Sequence, residues 1–232
     1  MKQILILLTC LFGTTQVFSQ EKAHIAISSG LSLPLSNYGS SDLNNEKAGL
    51  AKTGYAIDLS GYYRINQHFG LAGLIRHQRN GLNEDVVKAV FSPFTAGGSL
   101  DFKSNPWRIN SYMIGLNGSV PINNKLSWES KLLIGASTVT PFDMELTMSF
   151  MGSTETMKSE GQASTNVSLL LGSGLKYDLN DKFLILGNAD FWITETQPKT
   201  KGTQSDGSTS IESGPYMNIT SINLSLGLAY KL

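Results

Sequence analysis

Eight ionisable side chains stand in stretches where nearly every second residue is apolar: Asp58, Arg64, Arg76, Glu129, Lys131, Lys176, Asp190 and Lys231. Their neighbours on the other parity include Ile57, Ile75, Leu132, Leu175, Phe191 and Tyr230. A period of two puts the charges on one side of a strand and the apolar residues on the other. Such charges could line a passage for solutes, or pair with one another as a hydrogen-bonded plug. Nucleophilic catalysis asks for more: a positioned base and a third group to orient it. The chain has three histidines. His24 opens the first strand and His68 lies in a turn. His77, with Ser111 on a neighbouring strand, is the one conceivable pair, and no carboxylate is clearly assigned to orient it. Metal-ligand, phosphate-loop and redox spacings are absent, so no catalytic residue, metal or cofactor is expected.

The elements that carry these residues are organised by a turn written three times: Ile65-Asn66-Gln67-His68-Phe69, Ile122-Asn123-Asn124-Lys125-Leu126 and Leu179-Asn180-Asp181-Lys182-Phe183. The three asparagines are spaced 57 residues apart. Asn followed by Gln, Asn or Asp tolerates the positive φ of a tight hairpin. Alternating sequence precedes and follows each copy, so the repeat predicts an antiparallel meander. Eight strands are expected, over about 23–35, 55–64, 69–77, 111–120, 126–137, 166–178, 183–194 and 221–232, with nine to eleven residues each crossing a membrane at a tilt. Between them lie polar connections at 36–53, 78–106, 139–164 and 195–214. Within the second, Asn83-Glu84-Asp85 before Val86 and Val87 reads as a short capped helix or as a loop segment folded back on the rim. Within the third, alternating Met144, Leu146, Met148 and Phe150 read as a hairpin extending beyond the membrane.

One rim of short turns and one of long loops, joined by alternating strands, is the layout of an eight-stranded antiparallel up-and-down transmembrane β-barrel. Aromatic residues gather at two heights. Tyr63, Phe69, Trp128, Tyr177, Phe183 and Tyr230 lie near the turns; Tyr55, Trp107, Phe142, Phe191 and Tyr216 lie near the loops. Two outward girdles belong where rings meet lipid headgroups. A soluble lipocalin-like or avidin-like barrel keeps its larger apolar side chains inside instead. An eight-stranded interior is just wide enough to be filled by side chains, which favours the plug over the passage.

Residues 1–19 read as a signal peptide, with Lys2, an apolar run from Ile4 to Phe12, and Ser19 before the expected cut; residues 20–232 form the barrel domain. The apolar run is too short to span, and Cys10, the only cysteine, falls inside it. Leu7-Leu8-Thr9-Cys10 is a weak match to a lipid acceptor. Without Lys2 the chain has 17 basic and 18 acidic residues, and no clustered basic surface points to nucleic acid.

The last residues, Leu226-Gly227-Leu228-Ala229-Tyr230-Lys231-Leu232, resemble the C-terminal assembly signal of outer-membrane barrels. Gly227, Tyr230 and Leu232 match it; Leu226 in a polar place and a terminal Leu in place of Phe depart from it. With the leader and the eight strands, the chain resembles the small outer-membrane barrels of Gram-negative bacteria, of the OmpA/OmpX type or the PorT-like type linked to type IX secretion. The resemblance implies a porin-like protein of the cell outer membrane, with both termini in the periplasm and outer-membrane lipid, the barrel assembly machinery and other outer-membrane proteins as partners. It implies a non-enzymatic role in envelope structure, surface binding or adhesion through four extracellular loops. An accessory role in a secretion or uptake complex and a lipid A-modifying enzyme are the alternatives.

Overall fold

The computed structural model describes residues 22–95, 99–150, 153–203 and 207–232. The expected signal segment, its cleavage point and Cys10 lie outside the described residues. Eight long strands close into one antiparallel barrel: β1 (Ala23–Leu35), β2 (Ala51–Arg64), β3 (Phe69–Leu82), β5 (Trp107–Pro121), β6 (Leu126–Thr140), β9 (Ser164–Asp178), β10 (Phe183–Thr196) and β13 (Met217–Lys231). Each neighbours the next of these in the chain, and β13 closes on β1 in continuous register from His24↔Lys231 to Leu35↔Thr220. Among the described residues no helix is long and apolar enough to cross a membrane.

The alternation places side chains as the period requires. Ile27, Leu71, Ile114, Leu132, Leu171 and Leu226 point outward and are exposed, while Ala26, Leu74, Leu133, Leu170 and Asn223 on the opposite parity are buried. Where β5 meets β6, a Cβ on Gly115 would stand 2.1 Å from the Leu132 carbonyl oxygen and one on Gly135 would stand 2.0 Å from that of Tyr112. Only glycine lets the two strands curl this tightly toward the interior.

The three repeated turns form as expected, for a different reason. No turn asparagine has positive φ; among non-glycine residues described, only Ser36 and Leu50 do. The asparagine instead acts through its side chain. Asn66 Oδ1 accepts the N–H groups of His68 and Phe69, both at 2.9 Å. Asn123 does the same for Lys125 and Leu126, and Asn180 for Lys182 and Phe183. An Asx-type turn satisfies two backbone donors that the hairpin would leave open.

The strands hold 13 to 15 residues, and β1 keeps its expected bounds of 23–35 while the others run past theirs. The excess lies on the loop side, where β2 starts at Ala51 and β3 runs on to Leu82. The long connections are also more structured than the sequence pattern indicated. A single helical turn, α1 (Ser36–Gly39), follows β1, and α2 (Glu84–Phe91) follows β3. Asn83 precedes α2 but its side chain donates to Ser41 and makes no cap bond. The expected hairpin at 139–164 is β7 (Met144–Phe150) with β8 (Ser153–Gln162). It joins β4 (Ser99–Ser104), β11 (Lys199–Thr203) and β12 (Thr209–Ser213) in a second, five-stranded sheet ordered β12-β11-β8-β7-β4. The connection 195–214, read as a polar loop, therefore holds two strands.

Asn123→Ala should remove the acceptor for two turn amides and lower stability by about 1–2 kcal/mol. The urea midpoint of the folded barrel, read by heat-dependent mobility on SDS gels, checks this; an unchanged midpoint would show that water serves those amides equally well.

Candidate functional site

The interior is layered by position along the strands. Near the turn rim, the Lys231 ammonium pairs with Asp178. Above it, Lys176 Nζ lies 3.2 Å from Glu129 Oε1 and 5.7 Å from the centre of the Tyr62 ring. Arg64 lies half-buried at the turn end of β2. In the middle, the Arg76 guanidinium donates through Nε and one terminal nitrogen to both oxygens of Asp58, each at 2.7 Å. The same terminal nitrogen reaches Asp190 Oδ2 at 2.6 Å. Lys131 Nζ stands 3.0 Å from the other oxygen of Asp190. Two cations and two carboxylates from β2, β3, β6 and β10 thus meet at one level, and Asp190 and Arg76 are almost wholly buried. A buried charge is tolerated when it is paired and hydrogen-bonded, and the bidentate fork is the strongest such pair.

Amides and hydroxyls fill the next layer. Gln78 Nε2 and Ser32 Oγ both donate to Asn80 Oδ1, at 2.9 and 3.1 Å, and Asn80 Nδ2 donates to the carbonyl oxygens of Ser32 and Lys52. Ser137 bonds Ser111 at 2.7 Å and Ser168 at 2.5 Å. Gln78 and Asn80 were missed because the third strand was expected to stop at His77; the same parity carried on to Leu82 marks both as interior.

The loop-side mouth is closed by an apolar plug. Tyr38 of α1 is fully buried, edge-to-face with Trp107 at 5.5 Å, and Trp107 in turn meets Phe142 at 5.6 Å. Trp107 Nε1 donates to the Gly49 carbonyl at 3.0 Å, tying the loop between α1 and β2 across the opening. Burial holds the Tyr38 phenol well above its ordinary range, partly offset by Gln78, so it stays neutral. This corrects the outer girdle. Tyr55, Phe191 and Tyr216 are exposed, but Trp107 is buried and Phe142 packs against the core. Trp107 shares parity with the inward Ile109 and Met113, so it could not face lipid. The girdle at the turn rim has all six of its aromatic residues exposed.

The His77–Ser111 pair does not assemble. His77 Nδ1 lies 2.7 Å from Asn110 Oδ1 on the outer parity, whereas Ser111 is buried in the interior. His24 is inward, 5.1 Å from the Tyr62 ring centre.

Outside the barrel, the second sheet packs Phe102 of β4 and Leu146 of β7 against Leu82 of β3 and Val87 of α2. Ser104 and Lys88 hydrogen-bond to Glu84 and hold its carboxyl below the ordinary range. That tether is present at neutral pH and weakens as acid titrates Glu84 through its lowered value. Strand β12 is exposed along its whole length, with Ile211 72 % exposed, and among the described residues it pairs only with β11. At the C-terminus, Tyr230 faces outward against Phe183 at 5.7 Å and Leu232 N donates to the Ala23 carbonyl. A Cβ on Gly227 would meet Ser28 Oγ at 2.0 Å.

A family model described as "Outer membrane protein beta-barrel domain" matches residues 5–231. No curated protein matches the chain. Among solved structures, a major outer membrane protein from Thermus thermophilus aligns with a TM-score of 0.53 at 12 % identity, over 90 % of this chain and 99 % of that one. The attachment invasion locus protein Ail of Yersinia pestis aligns at 0.47 and 16 % identity, over 92 % and 99 %. Neisserial surface protein A aligns at 0.47 and 12 % identity, over 90 % and 97 %.

Asp190→Leu should leave Lys131 without a carboxylate and Arg76 with Asp58 alone, and cost about 3–5 kcal/mol, measured by urea unfolding in lipid vesicles. Replacing Arg76, Asp58, Asp190 and Lys131 together by apolar residues of similar volume should restore most of that loss. A single-variant cost within about 0.5 kcal/mol, as on a free surface, would contradict the pairing.

Proposed function

The chain belongs to the outer membrane protein beta-barrel domain family, and from that premise we propose that it is a non-enzymatic barrel with a filled interior that works by surface binding or adhesion through its loop-side extension. The observation that carries this reading is the contrast between the two ends of the molecule. The interior is occupied by ion pairs and closed by Tyr38 and Trp107, while the second sheet presents β12 with an exposed face and an open edge. An open strand edge offers a row of amides and carbonyls to an incoming partner strand. An interior of this size filled by side chains leaves no room for a solute.

Both described ends of the barrel, at Ala23 and Lys231, lie at the short-turn rim. In the proposed orientation that rim faces the periplasm and the second sheet faces the outside, as in other membrane barrels with short turns and long loops. Outer-membrane lipid then covers the apolar band. Gly227, Tyr230 and Leu232 serve as the signal read by the assembly machinery, and the outward Tyr230 and Leu232 support that role. The opposite orientations of His77 and Ser111 support a non-enzymatic protein.

Ile211→Lys places a charge on the open strand. Cells carrying this variant should adhere roughly tenfold less to protein-coated surfaces than wild type, a change of about 1.4 kcal/mol, with gel mobility of the barrel unchanged. Undiminished adhesion, or stepwise conductance of the purified barrel in planar bilayers, would contradict the reading.

A further inference from the structure

We propose that the outer face of β3 and β5 holds a phosphate group between Arg79 and Arg108, supplied by the phosphorylated headgroup of a glycolipid in the outer leaflet. The lipid source rests on the orientation proposed above; the arginine pair itself rests on the register.

Arg79 is the direct antiparallel partner of Arg108. Both share the outward parity, Arg79 with Ile75 and Arg108 with Tyr112 and Ile114. Side chains opposed in this way start about 5 Å apart, and like charges so placed repel. Nothing within the described chain offsets both. The nearest carboxylate, Asp143, lies 3.5 Å from the Arg108 guanidinium. Its oxygens already accept the Gly161 N–H at 2.9 Å and the Asn105 amide at 3.1 Å. Among the described residues Arg79 has no carboxylate partner, and the Nε of each arginine is shielded from solvent without an acceptor. Two donor forks on directly paired residues can both reach one tetrahedral dianion, each fork taking two of its oxygens. One phosphate would turn the repulsion into a bridge.

Height selects the source. Arg79 lies ten residues along β3 from Phe69 of the turn-side girdle. A strand rising 3.3 Å per residue at a tilt near 40° climbs about 25 Å over that length, the height of the apolar band of such barrels. The pair therefore stands where hydrocarbon gives way to headgroups on the loop side, with Tyr55 opposite Arg79 on β2. Toward the turn rim on the same face, Gly61 and Gly73 are opposed and outward, and they open a notch of about 280 Å³ beside Ile25 and Ile114. An acyl chain hanging from a phosphate at Arg79 and Arg108 would pass over Ile75 toward that notch. A free phosphate would use only the arginines.

The test uses the purified full barrel in phosphatidylcholine nanodiscs, titrated with bisphosphorylated lipid A or with its fully dephosphorylated form. Native mass spectrometry reads the glycolipid retained. Wild type should keep one phosphorylated molecule and reject the dephosphorylated one. Arg79→Gln with Arg108→Gln should weaken retention roughly tenfold or more, the effect of losing charge-assisted bonds. Arg79→Lys with Arg108→Lys keeps both charges, loses the forks and should fall between. Equal retention of the two glycolipids, or by wild type and the Gln pair, overturns the proposal. Displacement by millimolar inorganic phosphate overturns the lipid source and leaves a free anion as ligand. Heat-dependent gel mobility is measured on every protein. Its loss in wild type would overturn the barrel reading and the site with it; its loss in the Gln pair alone passes the decision to the Lys pair.

Discussion

A polypeptide crossing hydrocarbon has no water to serve its backbone, so every N–H and C=O in the span must find a partner within the protein. That constraint explains why β1 must pair with β13 across the full length of the chain. Without the register from His24↔Lys231 to Leu35↔Thr220, two strand edges would stand open in lipid. It also explains the repeated asparagine. At the turn rim the hairpins must reverse in a few residues, and Asn66, Asn123 and Asn180 supply acceptors to amides that the ladder no longer reaches.

Closure sets two opposite demands on one wall. The outer face must be apolar, and the inner face encloses a space too narrow for bulk water yet lined by whatever the second parity supplies. The chain meets the inner demand in layers. Charges cancel around Arg76, amides and hydroxyls satisfy one another around Asn80, and aromatic rings close the mouth around Trp107. Once the interior is spent in this way, the parts left to act on other molecules are the ends and the outer wall. The second sheet and the opposed arginines are both found there.

The barrel was legible in the sequence because its signal is local. Alternation with a period of two and a turn repeated at a fixed spacing require no knowledge of distant contacts. What was hidden required register or lay beyond the lipid. Arg76 and Asp190 are 114 residues apart in the chain, and only the strand order brings them together. The same holds for Arg79 opposite Arg108. Past the membrane a strand has no lipid to face, so the pattern fades: Lys199–Thr203 holds no large apolar residue, yet it is β11. Trp107 is a different case. Its parity with Ile109 marked it as interior, but its type suggested a girdle, and parity governs because the pleat fixes direction.

The central claim is an apolar outer wall around an interior that neither lipid nor water can enter. Spin labels placed one at a time along 222–229 of β13, in lipid vesicles, test it through collisions with oxygen and with a water-soluble nickel chelate. The account predicts oxygen access at Leu224, Leu226 and Leu228, and neither reagent at Asn223, Ser225 or Ala229. Nickel access at the second set would mean a water-filled interior, and access without alternation would mean that β13 is not a membrane strand.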